Sequence, residues 1–244
     1  MTRIALAARE DGAAGPARLA LRPGLLQPRA IARGTRHARV ALVAGGAMLL
    51  GGDAVRVEVE VDDGCTLEIE DVGGTVAYES TGEPSRFDVA VTLGRDAQLL
   101  WRAHPFVVAA GADVDRQTVI DLGEDSSVLL RETLVLGRSG ERGGRIRSGL
   151  HARVQTADAA AYPLLHEELA LDGAAGRVGV LGEHRVLDSA ILLGRRPPGA
   201  TRPEGVTVLE LDGPGAMARR VADATHGTGI DAVMEAWAPR VDPA

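Results

Sequence analysis

Two glutamates lie on strand faces that are otherwise apolar, and their position gives them the best prospect of doing chemistry. Residues 128–136 alternate so that Glu132 shares one face with four aliphatic side chains. Glu167 shares a face with leucines at positions 165, 169 and 171. A carboxylate on an apolar face needs a cationic partner or a route to water. The pattern predicts either a polar path or metal-relay site through the interior, or a structural arrangement in which a β-bulge or an arginine such as Arg138 accommodates the charge.

The histidines form no recognisable metal motif in the sequence. Four of them are scattered, with neither a His-x-His pair nor the spacing of two histidines and a carboxylate: His104, His151, His166 and His184. His104 is the best single candidate, because His104-Pro105 interrupts the strand that begins at Leu99. The zinc-protease helix motif would need a second histidine at position 170, where Ala170 stands. A cupin-type metalloenzyme would likewise need a His-x-His pair.

Other catalytic motifs are also missing, which predicts a protein that is not an enzyme. All 27 basic residues are arginine, so a lysine Schiff base and a phosphate-loop lysine are excluded. Ser139 and Ser148 lack the context of a nucleophile elbow. Residues 51–53 (Gly-Gly-Asp) predict a tight turn in which Asp53 caps backbone N–H groups before the next strand.

Composition limits the partners and the compartment. The net charge of −7 and the pI near 5.4 argue against nucleic acid as a partner. The single cysteine, Cys65, excludes an internal disulfide framework. The apolar run at 40–50 is interrupted by glycine and is too short to span a bilayer. We therefore expect a cytoplasmic protein without a membrane partner, folded as a single domain over residues 1–244.

A repeat near thirty residues predicts the architecture. A strand ending in Leu or Val, a short acidic and glycine-containing turn and a new strand recur at 61–69, 93–101 and 122–130, after 32 and then 29 residues. This period is typical of stacked β coils. We expect a mostly β protein of β-helix-like coils, with an opening strand or two before residue 36. Further strands are predicted at 55–61, 66–71, 86–93, 97–102, 116–122, 127–136, 148–156, 164–171, 177–181, 184–193 and 206–211.

The C-terminal region is predicted to contain one or two short helices, at 216–224 and 230–237, from apolar residues at helical spacing. Met217, Met234 and Trp237 suggest a partner interface there, with packing onto the sheet as the alternative.

Several segments, taken in order, resemble a known family. The segment 131–138 carries Glu-x-Leu-x-Leu-Gly-Arg, and Leu-Leu-Gly-Gly-Asp at 49–53 precedes an alternating strand. Matches of lower identity lie at Thr75, Tyr78, Ser80, Trp101, Pro105 and 164–171. The set is similar to the urease accessory protein UreD family, called UreH in some organisms, over about residues 15–195. Substitutions within these motifs, such as Ala103 for the family's proline, indicate a divergent member.

The resemblance implies a β-rich, non-enzymatic urease maturation factor. It implies a complex with UreF-like and UreG-like accessory proteins that docks on the urease apoprotein, and nickel that passes through an internal channel. Glu132 and Glu167 would be channel carboxylates, Asp53 a polar residue near the channel and His104 a possible nickel-path residue. Nickel would be bound transiently, with no tightly held cofactor. The alternative is a β-helical assembly scaffold for a different metal centre.

Overall fold

Two β-sheets, packed face to face, make up most of the computed structural model. The structure describes residues 1–9, 15–156, 160–175, 181–199 and 202–239. The elements are β1 (Thr2–Ala7), β2 (Arg18–Arg22), β3 (Leu26–Arg33), β4 (His37–Ala44), β5 (Ala54–Val61), β6 (Thr66–Asp71), β7 (Thr75–Ala77), β8 (Ser85–Leu93), β9 (Gln98–Arg102), β10 (Phe106–Val108), β11 (Asp113–Leu122), β12 (Ser127–Leu136), β13 (Arg145–Val154), β14 (Tyr162–Asp172), β15 (Val186–Leu193), β16 (Thr207–Glu210), β17 (Gly215–Ala222) and α1 (Ile230–Trp237). The seven-stranded sheet has the strand order β14-β13-β11-β8-β5-β1-β2. The ten-stranded sheet is built on the order β16-β17-β15-β12-β9-β6-β4-β3, with β10 beside β12 and β7 beside β10.

The middle of the molecule consists of stacked coils, which confirms the predicted fold class. Each coil gives one strand to each sheet, and equivalent strands pair in parallel with the coils before and after. In the seven-stranded sheet Val57 lies beside Val89, and Val89 lies beside Thr118. These pairs are 32 and 29 residues apart in the chain, so the repeat seen in the sequence is the register of the stacked strands.

The turns between the two sheets stack in the same order. Backbone hydrogen bonds join them: Gly94 N–H donates to Val61 C=O and Gly123 N–H donates to Leu93 C=O, at 2.8 and 2.9 Å. A Cβ at Gly123 would lie 2.6 Å from the Gly94 backbone, so only glycine allows this approach. The glycine at position 123 of the repeated motif is therefore required by the close stacking of the turns.

Antiparallel strands close the stack at both ends. The hairpins β1–β2 and β3–β4 lie at one end, and the pairs β13–β14, β12–β15 and β15–β17 lie at the other. Three strands, rather than one or two, precede residue 36. Between the sheets lies the apolar core, in which the inward residues of β5 are fully or nearly fully buried: Val55, Val57, Val59 and Val61.

The C-terminal predictions are half correct. The helix predicted at 230–237 is α1, Ile230–Trp237. The helix predicted at 216–224 is wrong, because this segment is β17, Gly215–Ala222, paired along its length with β15. The apolar residues of this segment fit the spacing of a strand as well as that of a helix. The segment forms a strand because the open edge of β15 offers it a full ladder of hydrogen bonds.

Helix α1 packs on the outer face of the ten-stranded sheet. Met234 and Trp237 are buried there beside Leu100, Leu129 and Leu192. Met217 is buried in the core between the sheets. These side chains therefore follow the packing alternative and are not exposed for a partner.

The prediction of a strand at 177–181 falls almost wholly outside the described residues. Within the described residues, no helix has the length and apolar character needed to cross a bilayer.

Candidate functional site

A row of polar side chains crosses the inner face of the ten-stranded sheet. Glu132 of β12 is in register with Ser189 of β15, and Ser189 is in register with Arg219 of β17. On the other side of Glu132, Asp71 ends β6 directly after the paired residues Glu70 and Arg102. Alternation along each strand turns these residues inward, because the residues two positions before them belong to the apolar core. We call Asp71, Glu132, Ser189 and Arg219, with the residues they contact from the opposite sheet, the interior polar row.

Glu132 is held by an arginine from the opposite sheet. Arg116 of β11 donates a hydrogen bond from Nη1 to Oε1 of Glu132, and the two side chains are 9% and 6% exposed. The same Nη1 lies 3.4 Å from Oγ of Ser148 on β13. The guanidinium also lies over the ring of Phe106, 5.7 Å from its centroid. Glu132 therefore points inward, as predicted, and the alternative with an arginine partner is correct in kind.

The identity of that arginine was predicted wrongly. Arg138 pairs with Glu141 in the turn after β12, and this exposed pair lowers the pKa of Glu141 to about 2, chiefly through the side-chain hydrogen bond. Strand β12 pairs with β15 without a register shift through Glu132, so no bulge in that ladder re-aims Glu132. Arg138 lies six residues beyond Glu132 in the turn and bonds Glu141 there, whereas Arg116 on the opposite sheet reaches Glu132 between the sheets.

Glu167 forms a second ion pair between the sheets. Arg219 donates from Nη1 and Nη2 to the two carboxylate oxygens of Glu167, at 2.7 and 2.9 Å. Nε of Arg219 donates to Oγ of Ser189 at 3.0 Å. The side chains of Arg219 and Glu167 are 17% and 18% exposed. Because Ser189 is also in register with Glu132, the two ion pairs belong to one continuous polar row.

Asp71 stands at the other end of the row. It accepts a hydrogen bond from Nε1 of Trp101 at 3.1 Å and one from the backbone N–H of His104, also at 3.1 Å. Burial raises the pKa of the Asp71 carboxyl, against the two hydrogen bonds, which lower it. The His104 side chain is exposed, so this end of the row reaches solvent.

A narrow cavity of about 50 Å³ lies between Asp71 and Glu132. His104, Arg116 and Thr118 also line it. Nε of Arg116 and Oγ1 of Thr118 are buried without a hydrogen-bond partner. Most of the remaining lining is apolar, from side chains such as Val89, Leu99 and Ile120. The arrangement therefore offers carboxylate, hydroxyl and imidazole groups along part of the wall of an otherwise apolar cavity.

Of the four predicted site residues, the structure brings three into relation. Glu132 and His104 line the same cavity, and Glu167 joins the interior polar row through Arg219. Asp53 lies apart, in the turn before β5, where its Oδ2 accepts a hydrogen bond from Leu50 N–H at 3.0 Å. This confirms its predicted role as a turn cap.

Sequence reasoning missed most of the row, although the signal was present for some of its residues. The residues it did not identify are Asp71, Arg116, Ser148, Ser189 and Arg219. Asp71, Arg116 and Ser148 lie at inward positions of alternating strands, the same signal that identified Glu132. Strands β15 and β17 do not alternate in burial, so Ser189 and Arg219 carry no comparable signal. Another missed carboxylate, Asp188, is fully buried beneath α1, where Arg131, Thr133 and Thr228 satisfy it in a structural arrangement.

The expectation that the histidines are scattered is wrong for two of them. His151 of β13 lies directly opposite His166 of β14, with their rings stacked 4.1 Å apart. The sequence separation of fifteen residues concealed this contact, which the antiparallel pairing of the two strands creates.

Comparison with known proteins gives a consistent family. Residues 3–238 match the model of the UreD urease accessory protein family. The chain is 40% identical over 202 residues to urease accessory protein UreD 1 of Streptomyces griseus subsp. griseus, covering 82% of this chain and 76% of that protein. It is 34% identical to urease accessory protein UreD of Streptomyces coelicolor, covering 76% and 75%. The corresponding values for urease accessory protein UreD of a Parafrankia species are 33%, 91% and 82%. The chain belongs to the UreD urease accessory protein family.

Proposed function

We propose that this chain is a non-catalytic factor in urease maturation that helps deliver nickel to the urease active site, with the interior polar row as the route of the ion. Family membership supports the role in urease maturation. The observation that carries the route is the continuity of the row between the sheets, from Asp71 beside the exposed His104 through Glu132 to Arg219 and Glu167.

The chemistry of the row suits passage better than storage. Its ligands are carboxylates and hydroxyls, with an imidazole at the His104 end, which bind Ni²⁺ less firmly than a closed set of thiolates would. Each glutamate of the row is neutralised by an arginine, so the resting protein avoids an unpaired charge between the sheets. An ion that enters takes the place of the guanidinium at the carboxylate, and the arginine restores the pair when the ion leaves.

The same proposal assigns the partners. UreF-like and UreG-like accessory proteins and the urease apoprotein are the expected partners, the protein works in the cytoplasm, and nickel is cargo. The alternative, a scaffold for a different metal centre, has less support because the matched relatives are named as urease accessory proteins.

The role is tested in cells that co-express the urease subunits and the UreF-like and UreG-like proteins, with and without this chain. Nickel-loaded, active urease is expected only when the chain is present. Equal nickel content and activity without it would overturn the maturation role.

The route is tested separately with Glu132→Gln and Glu167→Gln, which keep the size of each side chain and remove its charge. We expect lower nickel content in urease while the complex with the partners still assembles. Glu60→Gln is the matched control, because Glu60 pairs with Arg3 on the exposed outer face. Normal nickel loading with both interior variants would exclude the route and leave the maturation role intact.

A further inference from the structure

A second group of possible metal ligands lies on the outer face of the seven-stranded sheet, away from the interior polar row. His151 on β13 faces His166 on β14 across the antiparallel pair, and Glu168 follows His166 by two positions on the same face. Glu167, between them, points to the inner face and binds Arg219. The strand therefore carries one carboxylate into the interior and presents a different one outside.

The three outer side chains converge on one point. Nε2 of His151 lies 2.6 Å from Oε1 of Glu168, and Nε2 of His166 lies 3.9 Å from the same oxygen. One nitrogen or oxygen of each residue lies within 4.8 Å of the others. Two ligands of one ion are separated by at most twice the metal–ligand distance, about 4 Å for imidazole nitrogen. A small rotation of the side chains therefore allows all three to bind a common ion.

We propose that His151, His166 and Glu168 form a binding site for a divalent transition-metal ion of the nickel and zinc class. Ions of this class bind a set of two imidazoles and one carboxylate well, whereas Mg²⁺ and Ca²⁺ prefer ligands that are all oxygen. The side chains are 36%, 68% and 53% exposed, so an ion reaches them directly and keeps water in its remaining positions. Such a site exchanges its ion with solvent.

The surroundings leave Glu168 available for the ion. The neighbouring arginines of β13, Arg147 and Arg153, pair with aspartates of β11. Within the described residues, the ion pairs of Glu168 are those with the two histidines. The backbones of β13 and β14 pair on both sides of the cluster, with a register shift between Ala152 and Arg153 just beyond it, so the ligands lie on paired strands and not on a loop.

The site is tested on the purified chain, without an affinity tag, by calorimetric titration with NiCl₂ and with ZnCl₂. We expect His151→Ala, His166→Ala and Glu168→Gln each to abolish one binding event or weaken it by roughly tenfold or more. His184→Ala is the matched control, because His184 is an exposed histidine paired with a single carboxylate, Asp223. Unchanged stoichiometry and affinity in all three variants would overturn the site.

A second measurement separates metal binding from a simple hydrogen-bonded cluster. Ni²⁺ should selectively broaden the imidazole NMR resonances of His151 and His166, while that of His37, which pairs with Glu68, stays sharp. Affinity should fall on acidification, because ligating imidazoles must be neutral. Uniform broadening of all histidines, or none, would contradict the proposal. The readout is metal binding by the chain alone, so the result does not depend on the role in urease maturation.

Discussion

The inner and outer faces of the stacked coils carry the same kind of ion pair in opposite surroundings. Inside, Arg116 and Glu132 join the two sheets with side chains less than a tenth exposed. Outside, Arg153 and Asp121 join two neighbouring strands of one sheet with side chains 55% and 24% exposed. The inner pair joins the two strands of one coil and the outer pair joins neighbouring coils, but only the inner pair has been removed from water.

The comparison shows which ion pairs lower the stability of the folded protein through loss of hydration. A buried ion pair loses so much hydration that apolar residues of similar size often stabilise a protein equally well. An exposed pair costs little and contributes little. The outer arginines and aspartates maintain a solvated surface, whereas the inner pairs are present at a thermodynamic cost that a functional route would explain.

The largest effect is expected from breaking the inner pair on one side. Glu132→Ala should lower the free energy of unfolding by about 3–5 kcal/mol, because it leaves the Arg116 charge buried and unpaired. Denaturant unfolding of the variant measures the loss. The double variant Arg116→Met, Glu132→Leu should recover most of it, since both charges are gone. A double variant no more stable than Glu132→Ala would mean that packing, and not the unpaired charge, causes the loss.

A smaller, pH-dependent effect is expected at Asp71, at the solvent end of the row. Burial raises its folded-state pKa, so its contribution to stability is full below the ordinary pKa of aspartate and is lost as the pH rises through the folded value. Asp71→Asn removes this titration. Over that window the stability of the variant should rise relative to the wild type, as measured by denaturant unfolding at a series of pH values.

Trp101→Phe sharpens the Asp71 prediction. Nε1 of Trp101 donates to Oδ1 of Asp71 and so lowers the pKa of that carboxyl. Loss of this donor should raise the folded-state pKa of Asp71 further. The pH range over which its contribution to stability is lost should therefore extend to higher pH. A stability difference between Asp71→Asn and the wild type that is constant with pH would contradict the burial of Asp71.

The smallest effect is expected on the outer face. Arg153→Ala should change the free energy of unfolding only slightly, and less in high salt, because the pair with Asp121 is exposed and screened. Unfolding at low and high ionic strength tests this. A loss as large as that of Glu132→Ala would erase the distinction between the two faces.

The strands could be predicted well because their signal is local. Alternation in residues 127–136 and 55–61 specifies both the strands and the face that each side chain takes, and the turns at 61–69, 93–101 and 122–130 specify the coil length. Segment 216–224 was misassigned because its pattern fits two periods and only the edge of β15 decides between them. The inward direction of Glu132 was predictable for the same reason, but its partner was not.

The sequence by itself determined the alternation, the thirty-residue register and the family, since these depend on the order of side chains along one strand and its turns. Only the tertiary structure decided which residues meet. Arg116 contacts Glu132 in the space between the two sheets, and Arg219 contacts Glu167, which lies 52 residues away in the chain. His151 lies opposite His166 in an antiparallel strand pair. Contacts of this kind depend on the stacking order and strand direction, which no local pattern encodes.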